Sequence, residues 1–380
     1  MRFNPAIGWP AGRLRVINLE AGTGVFLVVD EKAMNSEALH NSSFLRACRR
    51  ERTDYTPIWL MRQAGRYLPD YRKIREKHDF LEMCKRPELV TEVTVMPIEQ
   101  LGFDAAILFA DILLIAEPMG LTLDFQEGYG PSLSPAIRTP GDVGKLRSVE
   151  ASESLGFVFD AVRMVRRALP YQTPLIGFCG APFTVASYMI EGGASRRFQH
   201  TKSLMYSDPE TWNILMGKIA CASAGYLNGQ IDAGVQAVQI FDSWVGCLSE
   251  EDYRHYVLPH TQHLISALKP GIPIIHFAAD GGILLQAVRD LGADVLSLDW
   301  RVNLADAWAA IGYDTAVQGN LDPVVLCCDR PTIINAAETI LERAGERPGH
   351  IFNLGHGILP DTPVDNVRIL VDVVHEHNGA

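Results

Sequence analysis

No stretch of the 380-residue chain approaches the roughly 18 consecutive apolar residues that a bilayer-spanning helix needs, so a helical membrane protein is excluded and a soluble one expected. Paired thiol motifs are also missing. The seven cysteines (Cys48, Cys84, Cys179, Cys221, Cys247, Cys327 and Cys328) are odd in number and never spaced as C-x-x-C, which argues against a disulfide framework or a thiolate zinc site and for a reducing, cytoplasmic setting. The adjacent Cys327 and Cys328 fall where a helix is expected to start, and buried packing is their expected role. Basic surplus is absent too: 45 acidic residues against 34 basic ones leave a formal charge of -11, which speaks against DNA, RNA or anionic lipid as partner. No G-x-G-x-x-G follows a strand-like run, and no G-x-x-x-x-G-K occurs, so dinucleotide and P-loop chemistry lack their fingerprints. Lysine is scarce. Its eight copies avoid every strand-like segment, which disfavours a Schiff-base or pyridoxal mechanism.

What is present is core-forming material: 47% of the residues are hydrophobic and 21% charged, a balance that folds. Residues 1–39 differ in texture, with short apolar patches such as Gly24–Val29 broken by Gly12, Arg13, Arg15 and Asp30. They are read as an N-terminal extension, poorly ordered or the product of an upstream start, with Met34 as a second candidate start. From there to residue 380 the chain repeats one rhythm. Eight short apolar runs (Pro57–Met61, Ala105–Ala110, Leu175–Cys179, Ala237–Phe241, Pro273–Phe277, Val295–Leu298, Ala316–Gln318 and His350–Leu354) alternate with stretches of helical periodicity. The helical stretches include Pro87–Leu101, Glu153–Leu169, Pro209–Ile231, Glu250–Leu268, Gly282–Leu291 and Pro331–Ala344. Eight strand-then-helix units predict an α/β fold, a single (β/α)8 TIM-type barrel over 40–380, because parallel strands need crossovers and a closed ring leaves no edge. A doubly wound open sheet is the rival.

Barrel chemistry gathers at the carboxyl ends of the strands. The residues just past the runs are Arg62, Asp111, Gly180, Asp242 with Ser243, Asp299, Asn320 with Asp322, and His356. Arg62-Gln63-Ala64-Gly65-Arg66-Tyr67-Leu68-Pro69 is the most informative stretch. Two arginines four apart repel unless an anion lies between them, Gly65 and Pro69 argue against a long solvated helix, and guanidinium suits bidentate carboxylate or phosphate recognition. Asp111 stands between Ala106–Ala110 and Ile112–Leu114; it is either a cap or ion-pair partner, or an anion held to receive N–H donors and stabilise a developing cation. Asp242 either caps the next segment or serves the site. Gly180 suggests close backbone approach. His356, flanked by Gly355 and Gly357, has few side chains to pack against and is read as facing a ligand. His255, His260 and His263 lack a partner carboxylate at metal-binding spacing, and no metal is expected.

In order along the chain, Pro57–Pro69, Gly177–Thr184, Phe241-Asp242-Ser243, Gly319–Pro323 and Asn353–Ile358 resemble the uroporphyrinogen decarboxylase family over about residues 44 to 375. The extension before residue 40 departs from the family's usual start, and Tyr71 stands where some relatives carry Phe. The resemblance implies a cyclic tetrapyrrole substrate whose four acetate arms become methyls, with no cofactor and no metal. It also implies Arg62, Arg66 and Arg75 on the carboxylates, the backbone of Gln63, Ala64 and Gly65 beside the ligand, and Tyr71, Tyr188, Ser243 and His356 as further contacts. Asp111 would accept the pyrrole N–H bonds and gain interaction as the ring becomes cationic. For the proton donor the resemblance suggests Arg62, whose guanidinium hardly deprotonates below a pKa of about 12; His356, Tyr188 or a water are the alternatives. A homodimer with facing clefts is also implied. Two rivals stay open. A zinc-dependent corrinoid or thiol methyltransferase of the same superfamily would want Cys where this chain has Ala278 and His356, and a non-catalytic tetrapyrrole carrier would have no need of Asp111.

Overall fold

The computed structural model describes residues 14–18, 26–126 and 130–377. About half of the extension expected at 1–39 falls outside these residues. What is described of it is an antiparallel pair, β1 (Leu14–Asn18) with β2 (Phe26–Asp30), leading into a helix over Glu31–His40.

Seven of the eight apolar runs form parallel strands of one curled sheet: β3 (Ala106–Ile107), β6 (Leu175–Gly180), β7 (Ala237–Asp242), β8 (Ile274–Ala278), β9 (Val295–Ser297), β10 (Ala316–Gln318) and β11 (His350–Ile351). The strand order is β11-β10-β9-β8-β7-β6-β3, so each strand lies beside its neighbour in the chain, as right-handed βα repetition dictates. Between β3 and β6 an antiparallel hairpin, β4 (Thr122–Gln126) with β5 (Gly130–Ser134), branches off.

The eighth run, Pro57–Met61, is where the expectation of eight equal strands fails. It makes a single parallel bridge, Ile58 to Phe352. Pro57 has no N–H to give to a ladder, although its carbonyl accepts from the Phe352 N–H at 2.8 Å. On the other side the Asp104 N–H donates to the Ile58 carbonyl at 2.9 Å, while the Ile58 N–H goes to the Asp104 carboxylate at 2.7 Å. The ring is therefore closed by one bridge on the β11 side and by one backbone bond and one side chain on the other, where ladders would ordinarily do it. Asp104 also accepts from the Tyr55 hydroxyl and pairs with His375 of the last helix, Val364–Glu376.

Inside the ring the packing is apolar with one polar thread. Trp59 Nε1 donates to Gln318 Oε1 at 2.8 Å, and Gln318 Nε2 donates to Ser297 Oγ and Gln239 Oε1. The thread gives partners to the Trp59 and Gln318 donors, which would otherwise cost one to several kcal/mol each, and leaves Gln239 Nε2 without one among the described residues.

Helix boundaries follow local chemistry. Pro209–Ala233 starts where Asp208 accepts the Thr211 N–H and stops at Gly234, whose φ of 113° suits glycine. The stretch expected as one helix over 250–268 is two, Glu250–Tyr256 and Leu258–Ser266; Pro259, which has no N–H to donate and whose ring crowds the preceding turn, lies in the first turn of the second. Gly282–Leu291 likewise divides into a 3-10 turn, Gly281–Leu284, and a short helix, Leu285–Arg289. Cys327 and Cys328 end a 3-10 turn over Pro323–Cys327 and are exposed, which corrects their expected burial: one turn presents no buried face long enough to hide both.

Candidate active site

The turn Leu60–Gln63 carries the first basic residue. The Met61 N–H donates to Asn353 Oδ1 and the Met61 carbonyl accepts from the Ile358 N–H, lacing this turn to the loop after β11. Arg62 is driven into the left-handed region at φ 63°, an unusual state for a residue with a Cβ, and its side chain is exposed at the carboxyl end of the barrel. Gln63 turns the other way. Its side chain is fully buried, accepting from the Leu60 N–H and donating to the Ala105 carbonyl, while its own carbonyl accepts from the Tyr67 hydroxyl. Gln63 is thus spent on the barrel wall, and the open backbone edge expected at Gln63, Ala64 and Gly65 narrows to the half-exposed Ala64 and Gly65.

Asp111 follows β3. The Leu113 N–H donates to its Oδ1 at 2.8 Å, and among the described residues its other oxygen has no hydrogen-bond partner. Burial pushes its carboxyl up to about 6, against the lowering pull of that N–H and of the Arg62 charge. Gly180, at the end of β6, permits this arrangement: a Cβ there would lie 2.7 Å from Val185 and 3.2 Å from Ile112, the residue after Asp111. The close approach expected at Gly180 is real, and it is an approach by the Asp111 segment.

Tyr188 lies on the helix Pro182–Glu191, packed against Trp244 at 5.5 Å between ring centres. Burial, then the Asp111 charge, pushes its phenol up to about 12. His356 is half-buried. Burial, then the Arg62 charge, holds its imidazole below the ordinary value, opposed by Asp299 and Asp280. Arg62 therefore lies within electrostatic reach of Asp111, Tyr188 and His356 together. Ser243 follows Asp242 on the rim of β7 and is half-exposed. Arg66 is exposed; its charge and that of Arg75 act on Tyr71, which is buried edge-on against Phe109. Arg75 already donates to the His78 carbonyl at 2.6 Å, so among the three arginines it is the most committed to the fold.

Two features escaped the sequence reading. Phe178, Phe241 and Phe277 form a row with His356, with successive ring centres 5.5, 6.3 and 6.3 Å apart. They supply an apolar floor beside the charged groups, and the signal was in the sequence as one aromatic near the carboxyl end of each of β6, β7 and β8. The second is a charged rim. The buried carboxylate of Asp299 accepts from the Arg301 guanidinium and from the backbone N–H groups of Asp280 and Arg301; Arg301 also pairs with Asp280 and stacks on Trp300. The sequence places Asp299 on the rim, but nothing in its spacing points to Arg301.

Asp242 is fully buried. The Thr184 hydroxyl donates to its Oδ1 at 2.7 Å, and the Trp244 N–H donates in turn to Thr184 Oγ1. It thus ties the helix bearing Tyr188 to the loop bearing Ser243 and caps no helix. Burial raises its carboxyl to about 7.

A family model described as uroporphyrinogen decarboxylase (URO-D) matches residues 39–377. A protein of Sorangium cellulosum named uroporphyrinogen decarboxylase is 55% identical over 333 residues, 87% of this chain and 95% of that one. One of the same name from Carboxydothermus hydrogenoformans is 55% identical over 337 residues, 88% of this chain and 96% of its own. Among solved structures, a methyltransferase from Methanosarcina mazei superposes with a TM-score of 0.73 at 21% identity, covering 88% of this chain and 97% of that one. That likeness concerns the fold alone.

Proposed function

This chain belongs to the uroporphyrinogen decarboxylase family, and on that premise we propose that it decarboxylates the four acetate arms of uroporphyrinogen III to methyls, giving coproporphyrinogen III, as a lyase of heme biosynthesis. The observation that carries the reading is the juxtaposition of an exposed Arg62 with the Asp111 carboxylate, Tyr188 and His356 beside an apolar aromatic floor. A polycarboxylate macrocycle needs both halves of that surface.

The chemistry follows from electron accounting. Loss of CO2 leaves an electron pair on the arm's CH2 carbon, and protonation of the adjacent pyrrole beforehand makes the ring itself the sink, so the reading calls for no added cofactor. A second proton then completes the methyl, and loss of the first from the ring restores the pyrrole, so each arm consumes one proton net. Asp111 accepts the pyrrole N–H bonds, and its attraction grows as the ring becomes cationic, which lowers the barrier by differential binding. Arg62 and Arg66 hold carboxylates, with Ala64 and Gly65 offering backbone and Tyr71, Tyr188, Ser243 and His356 further contacts; Arg75 contributes charge from behind, and Gln63 holds the turn. His356, with its imidazole held low, has little imidazolium proton to offer at neutral pH, and Tyr188, with its phenol raised, gives up its proton reluctantly. These directions move the proton donor toward a water or a substrate carboxyl group, with Arg62 orienting it through its N–H groups.

A zinc methyltransferase is not favoured: Ala278 and His356 occupy positions where thiolates would be wanted, and the relatives at 55% identity bear the decarboxylase name. A non-catalytic carrier is not favoured on the same naming. The reading extends to one catalytic unit over 40–380 in the cytoplasm, working as a homodimer; no helix among the described residues is long and apolar enough to cross a membrane. The test is an anaerobic assay with reduced uroporphyrin, with products oxidised and separated by carboxyl number. Hepta- through tetracarboxylate species are expected, and their absence with folded protein would sink the reading.

A further inference from the structure

The loop Gly355-His356-Gly357 has two glycines with different occupations. A Cβ on Gly355 would run into the backbone of Trp300, so that glycine serves the packing of two loops. Gly357 is another matter. A Cβ there would lie 2.5 Å from Cδ, 2.9 Å from Nε and 3.0 Å from Cγ of Arg62, and these are the three nearest atoms. Gly357 is not among the glycines of positive φ, so its backbone admits alanine. What excludes a side chain at 357 is the path of one arginine.

That arginine starts from a constrained backbone. Arg62 is left-handed at φ 63°, the Met61 N–H and carbonyl are tied to Asn353 and Ile358, and a Cβ on Gly65 would press on the Arg62 carbonyl at 3.0 Å. With both flanks fixed, the side chain's direction is set by where it finds room, and the room is over Gly357. We propose that Gly357 is a positioning residue for Arg62: its missing side chain is the channel through which the guanidinium reaches Asp111, Tyr188 and His356. The proposal rests on the decarboxylase reading for its kinetic readout only.

An alanine methyl at 357 asks the Arg62 side chain to move by about 1 Å, from 2.5 Å to an ordinary contact, and displacements of that size cost on the order of 100-fold in rate at a preorganised site. The experiment is a cycle of Gly357→Ala, Arg62→Ala and the double variant. Gly357→Ala is expected to lower kcat/KM by roughly 100-fold and to reproduce the split between kcat and KM seen in Arg62→Ala. In the Arg62→Ala background, where Cγ, Cδ and Nε are gone, adding Gly357→Ala is expected to change nothing beyond about twofold. A loss that multiplies in the double variant, or near-normal kcat/KM in Gly357→Ala, overturns the proposal. If Gly357→Ala does not fold, folding of the double variant upholds it and failure of both overturns it. Wild-type protein inactive on uroporphyrinogen would defeat the decarboxylase reading instead, and the cycle is then read in the quenching of protein fluorescence by oxidised uroporphyrin, which requires no chemistry.

Discussion

Asp111 is the residue whose charge matters most to the proposed chemistry, and its environment sets its working range. Its carboxyl is raised to about 6 chiefly by burial, so it is ionised at neutral pH and protonated in mild acid. A protonated Asp111 cannot stabilise a cationic ring, hence kcat/KM is expected to fall below about pH 6 with unit slope. A limb below pH 4.5 would remove Asp111 from that role. Asp111→Asn retains shape and loses the charge, and a drop on the order of 100-fold or more is expected with the fold intact; Asp111→Ala should abolish turnover. Near-normal rates in both would disprove the assignment. The residue types at 62, 111 and 356 were legible because charge stood in apolar or glycine-flanked surroundings. The commitment of the Gln63 side chain to Ala105 was not, since that contact crosses 42 residues of chain.

Among the elements, β7 and the helix Pro182–Glu191 meet through Asp242 and Thr184. An acid whose folded value lies near 7 against about 3.9 unfolded binds its proton more tightly in the native state, so the fold loses stability as pH rises from about 4 to 7 and stays lowered above. Asp242→Asn keeps an acceptor for Thr184 and cannot ionise. Its thermal midpoint is therefore expected to exceed that of the parent at pH 8 by more than at pH 5, and a lower midpoint at pH 8 would show that the ionised form is the stabilising one. Periodicity exposed seven strands and most helices because each run is short, largely apolar and set off by turn-forming or charged residues such as Gly, Pro and Asp. It failed at Pro57–Met61, an apolar run whose leading proline cannot ladder, and across 250–268, where the break lies in one proline that the flanking pattern ignores.

At the scale of the whole molecule the ring depends on Asp104, which accepts from Tyr55, Ile58 and His375 at 2.7 to 2.8 Å. Asp104→Ala strands the buried Ile58 N–H and removes the partners of Tyr55 and His375, a loss of about 2 to 4 kcal/mol. Chemical denaturation should show the midpoint falling with the m-value unchanged, and a shift under about 0.5 kcal/mol would mean that the seam closes without this carboxylate. The same seam also orders events in time. Its partners come from the first run, from the start of β3 and from residues 352 and 375, so a nascent chain carries two open strand edges until nearly its last helix has left the ribosome. Any product that stops short of Phe352 keeps those edges for good, and is a template for aggregation rather than a smaller enzyme.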